Sequence, residues 1–105
     1  MIKFSVFYPY VENGKFDLIY YRDKHMNMVK ERLGPKCVKV SVDAGIQGLQ
    51  PNSRPIYVAV GEVFLDIQRV EEFFELFGPH AQEIDGDVPN FTDGTPVAHF
   101  SQIKD

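Results

Sequence analysis

The side chains best suited to chemistry stand together early in the chain: Asp17, Tyr20, Tyr21 and His25. On a helix, residues four apart are neighbours, so Tyr21 and His25 share a face. Imidazole ionises at about pH 6.5 and can give or take a proton at neutral pH. A phenol beside it can orient a substrate oxygen or stabilise negative charge developing there. The competing reading makes His25 a core residue whose ring nitrogens find backbone or tyrosine partners, as buried polar groups usually do. The residues alone leave both readings open. His80 divides the same way, between a functional group and a residue that starts a helical turn. His99, beside Val97 and Ser101, reads as structural or as part of a subunit seam.

Other chemistries find little support. Gly45-Ile46-Gln47-Gly48 lacks the glycine spacing that cradles phosphates. No CxxC, HExxH or EF-hand spacing occurs. His80, Glu83, Asp85 and Asp87 are close enough in sequence to share a metal, but solvated charges at a helix end are the commoner arrangement. Cys37 has no basic cluster or helix N-terminus nearby to activate it and reads as a small apolar residue. Asn90-Phe91-Thr92 matches a glycosylation sequon that stays silent without a secretory signal.

These groups need elements to hold them. Ile2 to Tyr8 alternates as a strand, with Ile2, Phe4, Val6 and Tyr8 on one side. Asn13-Gly14 suits a turn. Asp17 suits an N-cap, and a helix is expected from there to Leu33, stopped by Gly34-Pro35. Leu18, Tyr21, His25, Met28, Val29, Arg32 and Leu33 form its stripe, with the Arg32 head reaching water. Cys37 to Val42 alternates again, Gly45 to Pro55 is a loop, and Ile56 to Leu65 is apolar on both faces, as a central strand would be. Asp66 is the expected cap of a second helix carrying Val70, Phe73, Phe74 and Phe77. Gly78-Pro79 ends that helix and starts a short turn, broken by Gly86 and Pro89. Thr95 to Ile103 is the last strand.

The order is β-α-β twice over. A four-stranded antiparallel sheet with both helices on one face satisfies it with short connections: an α+β, ferredoxin-like βαββαβ domain spanning residues 1–105. Phe7, Ala59 or Val60, and Phe100 would then face outward as an apolar patch. Two sheets paired in a homodimer would cover it.

At 105 residues the chain forms one domain and can bury roughly 65% of its unfolded surface. One cysteine excludes an internal disulfide framework. Fifteen acidic residues against eleven basic ones give a net charge of −4, which repels nucleic acid. The βαββαβ order also fits an RNA-recognition module, but the run from Arg54 to Val63 lacks the basic-Gly-aromatic-Gly-Phe pattern. Polar Lys3 and Ser5 break the N-terminal apolar run, and Glu62 breaks the longest one. Neither a signal peptide nor a membrane span is therefore expected, and the location expected is cytoplasmic.

Two segments carry a family resemblance. Phe16-Asp17, Tyr20-Tyr21 and His25-Met26-Asn27-Met28-Val29 resemble the first-helix signature of the EthD family, with Asn27 for the usual Pro and Met28 for the usual Leu. That family is named for a small protein encoded with an ethyl tert-butyl ether degradation system. Pro79-His80-Ala81, Glu83-Ile84 and Asp87-Val88-Pro89-Asn90-Phe91-Thr92-Asp93 resemble its second motif, with Phe91 for the usual Tyr. The resemblance implies a dimeric α/β barrel in which each protomer has a cleft between sheet and helices. It implies that His25 and Tyr21 line that cleft as catalytic residues, with Tyr20, His80 and Asn90 bordering it as substrate-binding residues. The ligand expected is a small, mainly apolar organic molecule. The chemistry expected is cofactor-free cyclisation, isomerisation or decarboxylation, with no metal or cofactor. Superfamily relatives include polyketide cyclases, lactone isomerases, cofactor-free monooxygenases and haem-degrading enzymes, so the fold alone selects no reaction. A non-catalytic accessory protein of a degradation pathway and a haem- or oxygen-dependent monooxygenase are the alternatives.

Overall fold

The computed structural model describes all 105 residues, Met1–Asp105. Strand β1 (Ile2–Pro9) leads to helix α1 (Leu18–Tyr20), which passes through one π turn (Tyr21–His25) into α2 (Met26–Leu33). After a 3₁₀ turn (Gly34–Lys36) come β2 (Cys37–Ala44), β3 (Tyr57–Leu65) and α3 (Val70–Phe77). A 3₁₀ turn (Gly78–His80), α4 (Ala81–Asp87), a further 3₁₀ turn (Val88–Asn90) and β4 (Val97–Gln102) complete the chain. The four strands pair antiparallel in the order β2-β3-β1-β4, the ferredoxin-like arrangement. The doubly apolar β3 therefore lies inside the sheet, where its alternate residues Ala59, Val63 and Leu65 are almost fully buried under the helices.

Local chemistry explains most boundaries. The Asp17 carboxylate accepts from the Tyr20 backbone N–H at 3.0 Å and starts the first helix. Gly34, at φ 77°, ends α2 in a conformation that glycine adopts at little cost. The start of the second helix differs from expectation. Its N-cap is Arg69, and the Glu72 carboxylate accepts from the backbone N–H groups of Gln68 (2.7 Å) and Arg69 (2.9 Å). Asp66 instead donates its backbone N–H to the Lys36 carbonyl at 2.8 Å, tying the end of β3 to the entry of β2. Gly86 lies within α4 rather than breaking it; α4 ends one residue later, before the turn that carries Pro89.

The outer face of the sheet also differs. Phe100 and Ala59 point to the helical side, where Phe100 packs on Phe4 (4.7 Å between ring centres) and Phe73 (5.1 Å). The outer face is mixed. Near one end Phe7 meets Tyr57 and His99. Near its middle Glu62 pairs with Lys3 at 2.9 Å and accepts from Ser5 and Ser41. Beyond it the β2–β3 loop holds Ile46 and Leu49 almost wholly exposed.

Candidate functional site

The first helix is not a uniform α-helix, and the departure sets the site. In the π turn the Met26 backbone N–H reaches back five residues to the Tyr21 carbonyl. Such single turns are rare and recur at functional sites. Beyond this one Met26, which helical spacing left off the stripe, is buried with Val29 and Leu33, and Met28 packs against the core only in part. The π turn lets Tyr21 and His25 lie nearly parallel, 5.6 Å apart with 19° between ring planes. Arg32, expected to extend into water, grips the Glu83 carboxylate through two nitrogens at 2.8 and 3.0 Å, which ties α2 to α4.

A second segment is fastened against this turn. Asp17 donates its N–H to the Phe91 carbonyl (2.7 Å), Thr92 donates its hydroxyl to the Lys15 carbonyl (2.7 Å), and Phe16 bridges Thr92. These bonds bring the end of α4 beside the π turn, with the fully buried Phe91 ring 4.7 Å from His25 and 4.8 Å from Tyr21. The Asp87 carboxylate is the hub. It bonds His25 Nδ1 at 2.9 Å and accepts from the Tyr20 hydroxyl at 2.6 Å and Asn90 Nδ2 at 2.9 Å. Partial burial alone would raise the Asp87 carboxyl, but the hydrogen bonds from Tyr20, Asn90 and His25 outweigh it and hold it below its ordinary value. The same bond to Asp87 raises the Tyr20 phenol. An ionised carboxylate only accepts, so Nδ1 of His25 carries the hydrogen, and in the neutral imidazole the lone pair is on Nε2.

His25 and Tyr21 line a cavity of about 250 Å³ between the sheet and the helices, walled mainly by apolar side chains such as Phe4, Val63, Phe73 and Phe77. With Nδ1 held by Asp87, Nε2 is the nitrogen left to act there. The Tyr21 ring stands over the middle of β3, where a Cβ on Gly61 would collide with its hydroxyl. Burial, then the neighbouring Tyr8, raises the Tyr21 phenol, so it stays protonated and able to donate. A larger cavity, about 430 Å³, lies on the other side of Tyr8 among residues 9–16 and 92–95. It is more polar and contains none of the His25 group. No set of three His, Cys, Asp or Glu residues is placed to hold a metal ion, and Glu83 and Asp87 are engaged by Arg32 and His25.

The structure thus gathers His25, Tyr20 and Asn90 around Asp87, with Tyr21 beside His25. Tyr20 and Asn90 bond the carboxylate rather than line the cavity, and His80, in the turn before α4, does not line it either. Asp87 was legible as one letter of a motif and as a charge at a helix end, but not as the partner of His25, because a pairing across 62 residues has no local signature. Tyr8 was legible only as one apolar position of a strand face.

No family model matches the chain, and no curated protein does. Among solved structures it is similar to an EthD-like protein from Ralstonia eutropha JMP134, at 40% identity over 96% of this chain and 89% of that one, with a TM-score of 0.90. An EthD family protein from Bacillus halodurans C-125 shares the fold at 16% identity over 99% of both chains (TM-score 0.70). HapK from Hahella chejuensis shares it at 11% identity over 98% of this chain and 94% of that one (TM-score 0.53). With the two motifs, the βαββαβ sheet and 40% identity along almost its whole length, this chain belongs to the EthD family.

Proposed function

We propose that this protein binds a small, mainly apolar organic molecule in the cleft between sheet and helices and transfers a proton on it without a cofactor. The reaction would be a cyclisation, isomerisation or decarboxylation. The observation that supports this reading is His25, which lines an apolar cavity while an ionised Asp87 holds its Nδ1. Such a carboxylate fixes the tautomer and steadies the imidazolium that forms when Nε2 takes a proton. Tyr21 orients the ligand, and Tyr20 and Asn90 support the site through Asp87.

We further propose a cytoplasmic homodimer serving a degradation pathway, its two sheets paired through the outer face that carries Phe7, Tyr57 and Val97. Native mass spectrometry of the purified protein checks the dimer and any retained ligand in one spectrum. The chemical test is a screen of small carbonyl and aromatic compounds against wild type, His25→Ala and His25→Gln. A positioned acid/base contributes about 10²–10⁴-fold. Turnover lost by that factor in both variants, with binding kept, supports catalysis. Binding without turnover by wild type assigns the accessory role instead, a haem Soret band on titration assigns the oxygen-dependent one, and no binding at all refutes the reading.

A further inference from the structure

Tyr8 is the group in the cleft that the reading above leaves without a task. Its side chain and that of Tyr21 both line the 250 Å³ cavity, their rings 5.5 Å apart and nearly perpendicular. The residues are only 4% and 1% exposed, yet each phenol is influenced by burial and nearby charge alone, with no hydrogen bond to the protein. No buried polar side-chain atom of this protein lacks a partner. Neither hydroxyl is therefore fully enclosed, and the space that both side chains line is this cavity, Tyr8 bordering the larger one as well. Asp85, on the rim of the same cavity, acts on Tyr8 directly: burial first, then that carboxylate, pushes the phenol up to about 12. Both phenols thus remain donors at neutral pH, and carboxylates at Asp85 and Asp87 make the surroundings unfavourable for an anionic ligand.

Two converging donors without partners, in an apolar space beside a nitrogen with a free lone pair, match one ligand chemistry. We propose that Tyr8 and Tyr21 together bind the oxygen of a neutral carbonyl compound with a ring-sized apolar body. The proposal rests on the cleft reading above and names its substrate class. A cavity of about 150 Å³ takes a benzene ring, so 250 Å³ takes a ring with a short substituent. With such a ligand, His25 Nε2 takes a proton from the carbon next to the carbonyl. The electrons of that C–H bond form a C=C bond, and the carbonyl π pair moves to the oxygen held by the two phenols. Where the substrate carries a C=C bond next to that carbon, the oxygen's pair re-forms the carbonyl, the double bond moves one position toward it, and the proton returns to the far carbon of the original C=C bond, which completes an isomerisation that consumes no oxidant and no cofactor. Hydrogen bonds to that oxygen strengthen as charge develops on it, which is where donors assist a reaction most.

The test uses two probes of one shape, acetophenone and α-methylstyrene, which differ only in carrying an oxygen or a CH₂ at the same position. Binding to the full-length protein is followed by titration, and the carbonyl stretch of bound acetophenone by infrared difference spectroscopy. Tyr8→Phe and Tyr21→Phe are each expected to weaken acetophenone about threefold to tenfold, the value of one neutral hydrogen bond, and to leave α-methylstyrene within twofold. Each variant should also move the carbonyl band to higher frequency, a shift that a merely structural role for the ring would not produce. Acetophenone bound with its band and affinity unchanged by Tyr8→Phe overturns the proposal and leaves the cleft reading standing. A wild type that binds neither probe overturns the cleft reading and this proposal with it.

Discussion

Gly61→Ala is the sharpest probe of how the site is built. Gly61 lies in the middle of β3, opposite Val6 of β1 and Val42 of β2, so paired strands on both sides hold its backbone in place. Its φ lies outside the left-handed region, and alanine meets no backbone strain there. On that ground alone the substitution should stabilise, by about 0.4–1 kcal/mol, because it restricts the unfolded chain. The added methyl group, however, collides with the Tyr21 hydroxyl and comes within 3.0 and 3.3 Å of two ring carbons. Overpacking of this kind costs about 1–3 kcal/mol. Tyr21 has little freedom to yield, since Tyr8, Phe16, His25 and Phe91 surround its ring. The clash wins, with a net loss of about 1–2 kcal/mol. At about 4–8 °C per kcal/mol for a domain near this size, the thermal midpoint falls by roughly 4–16 °C. Tyr21→Phe removes the colliding oxygen and leaves the ring tight but accommodated, so the double variant should recover much of the loss. A thermal-unfolding cycle of the four proteins measures that coupling. A midpoint at or above wild type for Gly61→Ala, or no recovery in the double variant, would refute the packing argument.

Other outcomes follow from the same geometry. Asp87→Asn replaces an acceptor by an amide that can donate to His25 Nδ1, so the imidazole should switch to the Nε2–H tautomer, visible in its ¹⁵N shifts; any proton transfer through His25 should then fall about 10²–10⁴-fold. Because the folded Asp87 carboxyl lies below its ordinary value, its contribution to stability is full above the unfolded value of about 3.9 and is lost as pH falls through the folded one. Wild type should thus lose stability on acidification below about pH 4 more steeply than Asp87→Asn in a denaturant series. Phe91→Ala empties a fully buried position that touches both His25 and Tyr21, and should cost about 3–5 kcal/mol by chemical denaturation. Cys37 is buried and its thiol is pushed up by that burial, so a thiol reagent at pH 8 should label it slowly in the native protein and at once in denaturant.

Much of the site was legible before any coordinates. Periodicity placed Tyr21 and His25 on one helical face, and the structure stacks their rings. It could not foresee the π turn, because one extra residue in a turn depends on what the helix packs against. Beyond that turn Met26 is buried, while Met28 packs against the core only partly buried. Arg32 looked like a residue reaching water, since its partner Glu83 lies 51 positions away. Asp66 looked like a cap because Asp is a good one, yet Glu72 reaches back to the backbone and Asp66 is taken by Lys36.

The amino-acid sequence by itself determined the order of strands and helices, the central place of β3 and the pairing of Tyr21 with His25. All of these follow from alternation and helical spacing over a few residues. Tertiary structure alone decided that Asp87 holds His25, that Gly61 makes room for Tyr21 and that Tyr8 lines the cleft beside Tyr21. Those relations join residues 62, 40 and 13 positions apart, by subtraction of their sequence numbers. At such distances the chain's own spacing says nothing, and only the packing of the first helix and the Pro89-Asn90 turn over one sheet brings the groups together.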